Sequence, residues 1–165
     1  MNITSKSRYG LKIMMDLTHH RNLPHVKRND ISKRQGIPPD YLDQIMVRLR
    51  SGKLVESIRG RGGGYRLARS AESISLWDIF GTVEESIYPV GCVGDNHSCG
   101  FETGCFAKSA WEEIFGALKK PLSEMSLIYI TEKWANENLM CPVGGIRECR
   151  AGGSALNGLV EGLHG

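Results

Sequence analysis

Residues 30–67 read DISKRQGIPPDYLDQIMVRLRSGKLVESIRGRGGGYRL, and three successive patterns in and around this stretch decide the fold. A short polar helix from about Asn29 to Gln35 is stopped by Gly36, which takes the left-handed C-cap conformation cheaply. Ile37 and Pro38 make a tight turn, and Pro39 suits the first position of a second helix because it has no N–H to lose there. That helix sets Leu42, Ile45, Met46 and Leu49 on one face with the i, i+3, i+4, i+7 spacing, and Gly52 ends it. Helix, glycine-containing turn, helix is a helix-turn-helix by spacing. Leu54 to Ile58 then alternates apolar and polar residues as a half-buried strand does, and Tyr65-Arg66-Leu67 resumes the alternation. Between them, Arg59-Gly60-Arg61-Gly62-Gly63-Gly64 forms a flexible cationic hairpin tip, the wing of a winged helix.

Upstream, Thr4 or Ser5 caps a helix reaching about His20, with Tyr9, Ile13, Met14 and Leu17 on its core side. Residues 21–25, with Pro24, read as a loop. Downstream, Ser75 caps a short helix carrying Leu76, Ile79 and Phe80. Residues 88–104 are loop-like. A helical pattern resumes near Cys105 and runs through Trp111, Ile114, Phe115 and Leu118 to Lys120, where Pro121 is expected to interrupt it. Ser126 caps a last helix with Leu127, Ile130 and Trp134 on one side. The tail from Cys141 holds seven glycines in 25 residues and reads as mobile.

The expected fold is mainly α: a winged helix-turn-helix domain with a small β-wing, plus a long dimerisation helix. Four segments follow: residues 1–82 as the DNA-binding domain, 83–104 as a cysteine-rich sensor loop, 105–138 as dimerisation helices, and 139–165 as a glycine-rich tail.

Composition narrows the function. The 165 residues are 41% hydrophobic and 24% charged, which suits a globular chain and not a disordered one. No apolar run approaches the roughly 18 residues needed to span a bilayer. The opening MNITSKSRYGLKIMMD is too charged for a signal peptide, so the expected location is cytoplasmic, with no membrane partner. The net charge of +3 conceals an asymmetry. Residues 1–70 carry 15 Lys and Arg against 5 Asp and Glu, a balance of +10, whereas residues 71–165 carry 6 against 13, a balance of −7. The first part is suited to a polyanion.

A helix-turn-helix offers its second helix to the major groove. The outward residues of that helix are Asp40, Tyr41, Asp43, Gln44, Val47 and Arg48. Gln44 can pair with adenine and Asp43 can accept from cytosine N4, while Tyr41 and Arg48 suit phosphates. Arg59 and Arg61 alternate with glycines that let the wing backbone approach a narrow minor groove. The same glycines lack the GK[ST] of a phosphate-binding loop, which excludes that class of nucleotide site. No nucleophile–base pair emerges, so no enzymatic activity is expected.

The five cysteines begin only at Cys92. Cys92, Cys99 and Cys105 fall within 14 residues, and Cys141 and Cys149 lie in the tail. An odd number in a cytosolic chain argues for metal or thiol chemistry over a disulfide framework. Three thiolates on a glycine-rich loop suit an iron–sulfur cluster or zinc. Free reactive thiols are the other reading. His97 is the histidine placed to join them, whereas His19 and His20 read as surface residues at a helix end.

Taken together, ITSKSRYGLK, the 30–67 block, SLWDIFGTVEES and the three cysteines before a helix containing Trp111 resemble the Rrf2 superfamily of bacterial transcription regulators. The likeness spans about residues 1–120 and is strongest to the iron–sulfur members of the IscR and NsrR types. It implies a homodimer packed through the helix after Cys105, a partly palindromic double-stranded operator, and a cluster near the dimer interface on Cys92, Cys99 and Cys105. It also puts Asp43 where an acidic residue modulates base choice, and Gln44 and Arg59 at DNA-contacting positions. Two positions depart from the pattern. The IscR type carries a histidine ligand three residues after the third cysteine, where this chain has Lys108, and the NsrR type uses an acidic residue where this chain has Arg8. The cluster is read as 2Fe–2S, with 4Fe–4S as the alternative, and the two departures leave the fourth ligand open among Asp95, His97, Glu102, a partner-subunit residue and an external thiol. A zinc or thiol-redox regulator with the same DNA module is the nearest rival, and an electron-transfer or metal-carrier protein is a further one.

Overall fold

A computed structural model describes residues 4–88, 90, 93 and 105–136. Helix α1 spans Ser5–His19, and its N-cap is Thr4, whose hydroxyl accepts from the Lys6 N–H at 3.0 Å. Helix α2 spans Arg28–Gln35, one residue longer at its start than the sequence pattern suggested, and ends at Gly36 with φ +62°. Helix α3 spans Pro39–Ser51 with proline in its first turn. Leu42, Ile45, Met46 and Leu49 are all buried and meet Ile13, Met14 and Leu17 of α1 in one core.

Strands β1 (Val55–Ile58) and β2 (Gly64–Leu67) pair antiparallel in the register Val55↔Leu67 to Ile58↔Gly64. A third edge, absent from the sequence reading, comes from Val26. Its N–H and carbonyl both bond Tyr65 at 2.8 Å, turning the hairpin into the small sheet typical of a wing. Glycine is required beside it, because a Cβ on Gly64 would sit 2.2 Å from the Val26 carbonyl oxygen.

Helix α4 (Leu76–Val83) opens with a reciprocal capping box between Ser75 and Asp78. Helix α5 spans Phe106–Glu124 and corrects one expectation: it continues through Pro121. Proline there removes only the hydrogen bond to the Ala117 carbonyl, and Ala117 is exposed, so water can serve that carbonyl in place of the lost N–H. The chain then turns back. Leu127 donates to the Ile74 carbonyl at 2.7 Å, Met125 accepts from Leu76 at 3.0 Å, and Ser126 receives the Tyr129 N–H at the start of α6 (Leu127–Asn136). Leu127 is fully buried, and α6 lies along α1. Among the described residues, no helix is long and apolar enough to cross a membrane.

Candidate nucleic-acid interface

With its apolar stripe turned inward, α3 presents Asp40, Gln44 and Val47 to solvent. Gln44 is exposed and its side chain makes no hydrogen bond among the described residues, so both its amide donor and its acceptor are open to a base edge. The other predicted contacts are more constrained than the sequence suggested. Asp43 is gripped by Arg28 of α2 through two parallel bonds of 2.6 Å, Nε to Oδ1 and Nη2 to Oδ2. Tyr41 is half-buried and stands edge-on to Tyr9 at 5.5 Å between ring centres. Arg48 donates to Glu85 at 3.1 Å. Arg28 is a site residue that sequence reasoning missed; its proximity to Asp43 depends on how α2 crosses α3, and no periodicity records that.

The wing delivers Arg59 and Arg61 as exposed side chains. Gly60 and Gly62 hold φ of +112° and +92°, conformations costly for other residues. His25 Nε2 lies 2.6 Å from the Gly62 carbonyl and must be the donor, which ties the tip back to the segment carrying Val26. Between α3 and the hairpin lies an open cleft of about 670 Å³, lined by Val47, Arg50, Lys53, Ser57 and Arg59 among others. Arg50 and Lys53 thus join Arg59 on this side, a placement that no local pattern signals.

Two buried or half-buried carboxylates set the frame behind this face. Asp16 of α1, its side chain 2% exposed, accepts from Arg34 at 2.7 and 2.9 Å and from Gln35 at 3.0 Å, binding α1 to α2. Glu84, just past α4, accepts on one oxygen from the N–H and hydroxyl groups of both Thr4 and Ser7, at 2.6–3.2 Å. Burial alone would raise the Glu84 carboxyl's pKa, but these four donors outweigh it and hold it below the ordinary value. A depressed folded pKa means stability that is present above the unfolded value and lost as the pH falls through the folded one. Glu84→Gln should therefore unfold at lower urea than wild type at neutral pH, with the gap closing below about pH 4. A gap of constant size from pH 7 to pH 3 would show that the charge of Glu84 contributes nothing.

At the other end of the chain, Cys105 is half-buried at the N-cap of α5. Lys108 lies 4.0 Å from Glu112. Cys92 and Cys99 lie outside the described residues, as do Asp95, His97, Glu102, Cys141, Cys149 and the glycine-rich tail. Among the described residues, no three His, Cys, Asp or Glu side chains converge as a metal site would require. His19 and His20 are half-buried at the end of α1, more enclosed than the surface position expected, and Trp134 of α6 stands edge-on to His19 at 6.2 Å. Burial, with help from neighbouring His20, lowers the pKa of His19.

Helix α5 is fastened to the rest of the chain by Phe115, which is buried against Trp77 and Tyr88 at 5.4 and 4.9 Å. Leu122 packs on the core as well, whereas Phe106 (89% exposed), Trp111, Ile114 and Leu118 remain open.

A helix-turn-helix with an open recognition face, a glycine-rich arginine wing and basic residues on both make this a winged-helix DNA-binding protein. The comparison with known proteins gives the family. The chain belongs to the Rrf2 family, described as iron-dependent transcriptional regulators, whose model matches residues 3–133. It is 37% identical over 127 residues to the HTH-type transcriptional regulator IscR of Vibrio campbellii, covering 77% of this chain and 75% of that one. Among solved structures it is similar to T. potens IscR, with a TM-score of 0.66 and 30% identity over 90% of this chain and 96% of the other. It is equally similar to CymR, the global cysteine regulator of B. subtilis, with a TM-score of 0.65 and 30% identity over 81% and 98%. The protein is a transcriptional regulator of a family that is not enzymatic.

Proposed function

We propose that this regulator reads a partly palindromic operator with Gln44 in the major groove and Arg59 and Arg61 at the minor groove, and that an iron–sulfur cluster on Cys92, Cys99 and Cys105 governs its occupancy. The observation that carries the DNA reading is the open amide of Gln44 beside the clasped Asp43 and Arg48: it is the one predicted base-reading side chain with nothing to give up before it pairs. Asp43 modulates that choice from inside its Arg28 clasp, and Tyr41 and Arg48 lie beside it for phosphate contact. The exposed face of α5 supplies the dimer contact, since Phe106, Trp111, Ile114 and Leu118 form one apolar strip that a symmetric mate can cover.

Gln44→Ala should relax base preference at one position per half-site by about 1–3 kcal/mol, whereas Arg59→Ala should weaken all duplexes alike. The bound species should sediment as a dimer, and its affinity should fall steeply with salt as several phosphates are neutralised. The measurement is a binding titration against a library of single-base operator variants. An equal loss on every variant for Gln44→Ala would remove it as a base reader, and a sedimenting monomer would remove the α5 interface.

The cluster reading rests on three soft donors in one short stretch, with Cys105 anchored at the start of α5. When bound, such a cluster supplies a centre whose charge and integrity follow redox and iron supply. The likeness to CymR supports a second reading, a cysteine-responsive regulator without iron. The visible spectrum and the iron and sulfide content of anaerobically isolated protein separate the two.

A further inference from the structure

We propose that Lys6 and Arg48 form a backbone-phosphate site beside the recognition face and that Glu85 occupies it as a displaceable counter-ion in the DNA-free chain. The proposal rests on the reading that α3 faces DNA. Three elements meet here: Lys6 comes from the first turn of α1, Arg48 from α3, and Glu85 from the exit of α4. A single oxygen, Oε1 of Glu85, takes Lys6 Nζ at 2.9 Å and Arg48 Nη2 at 3.1 Å. One anionic oxygen between a lysine and an arginine is the arrangement a phosphate oxygen adopts.

Exposure separates the partners. The Glu85 side chain is 75% exposed, against 33% for Lys6 and 35% for Arg48. The cations are thus seated and the anion is the outer, removable member. The hydrogen bond from Lys6, with the charges of Lys6 and Arg48, holds the Glu85 carboxyl below its usual pKa, so the gate is charged at neutral pH. Exposed pairs of this kind are worth little, so breaking them costs little, and a phosphate brings counter-ion release that a carboxylate does not.

Position supplies the function. The two cations share a groove of about 370 Å³ with Tyr41, Gln44 and Val47, so an anion there lies on the base-reading side of α3. Glu84, fixed to Thr4 and Ser7, pins the backbone immediately before Glu85 and aims it at the pair. Glu85 therefore screens the site from weak or non-specific polyanions, and duplex DNA must compete with it.

The test uses the full chain and a labelled mixed-sequence duplex of about 30 base pairs, because a phosphate contact does not depend on sequence. Glu85→Gln should bind about fivefold tighter, and the Lys6→Ala/Arg48→Ala double variant about tenfold weaker. Adding Glu85→Gln to that double variant should change affinity by less than about 1.5-fold, since the gate then has no site to guard. Glu72→Gln, a charge removed elsewhere on the surface, should have a smaller effect than Glu85→Gln. Unchanged or weaker binding by Glu85→Gln overturns the counter-ion role of Glu85. So does a gain that persists undiminished without Lys6 and Arg48, which would mark a long-range charge effect. If the double variant is weak but Glu85→Gln is silent, only the gate falls. If the double variant binds like wild type, the phosphate site and the placing of Arg48 against DNA both fall.

Discussion

Asp16→Ala should lower the unfolding free energy by about 3–5 kcal/mol, the usual loss when one member of a buried ion pair is removed. The carboxylate is almost wholly enclosed and takes three hydrogen bonds, two from the Arg34 guanidinium and one from the Gln35 amide. Removing it leaves Arg34, itself only 23% exposed, without its carboxylate, and strips the Gln35 amide of an acceptor. The cost is desolvation, so it should not be reproduced by deleting an exposed pair such as Arg66 with Glu56. Replacing both partners by apolar residues, Asp16→Leu with Arg34→Met, should recover much of the loss, because neither charge then remains buried. Urea unfolding at neutral pH measures each variant. An Asp16→Ala protein within about 1 kcal/mol of wild type would mean that the clasp between α1 and α2 contributes nothing. The clasp also bears on function, since α2 carries Arg28, and Arg28 holds Asp43 on the recognition helix.

The helix-turn-helix and the wing were legible because their signals are local. Gly36, Pro39 and the spacing of Leu42, Ile45, Met46 and Leu49 each act within a few residues, and the structure places all of them as the pattern implied. Ser75 capped α4 for the same reason. What stayed hidden was every feature made by distant residues meeting. The bridge at Val26 has no alternation around it and exists only because Tyr65 reaches it. The return of α6 depends on Ser126 pairing beside Ser75, and it brings Trp134 edge-on to His19, which reads from the sequence as a surface residue. Pro121 misled because a proline is a strong local stop, yet near the end of an exposed helix it forfeits a single bond. At the interface, residue types were read correctly, but their engagements were not. Asp43 and Arg48 looked free, and their partners Arg28 and Glu85 lie 15 and 37 positions away.

Serine at any one of Cys92, Cys99 or Cys105 should abolish the coloured centre, whereas Cys141→Ser with Cys149→Ser should leave it largely intact. The asymmetry follows from chain entropy. The first three cysteines share a short stretch, so one metal centre reaches them without closing a long loop. Cys105 adds a fixed point, because α5 begins at the next residue and is held through Phe115 on Trp77 and Tyr88. The tail cysteines follow α5 and α6, so recruiting them means ordering far more backbone, at about 1–2 kcal/mol per residue fixed. Lys108, where the IscR type has its histidine, cannot complete the set, since a protonated ammonium has no lone pair to give. For such a cluster the fourth ligand would come from Asp95, His97, Glu102, the partner subunit or an external thiol, and substitution of His97, Asp95 and Glu102 one at a time tests the three within this chain. Iron per monomer and the visible spectrum of each variant, prepared without oxygen, give the answer. If the tail double variant loses its iron while Cys99→Ser keeps it, the three-cysteine stretch is not the site. If wild type itself carries no iron, the cysteine-responsive reading replaces the cluster, and the same serine variants should then be assayed for lost sensitivity of DNA binding to thiol oxidants.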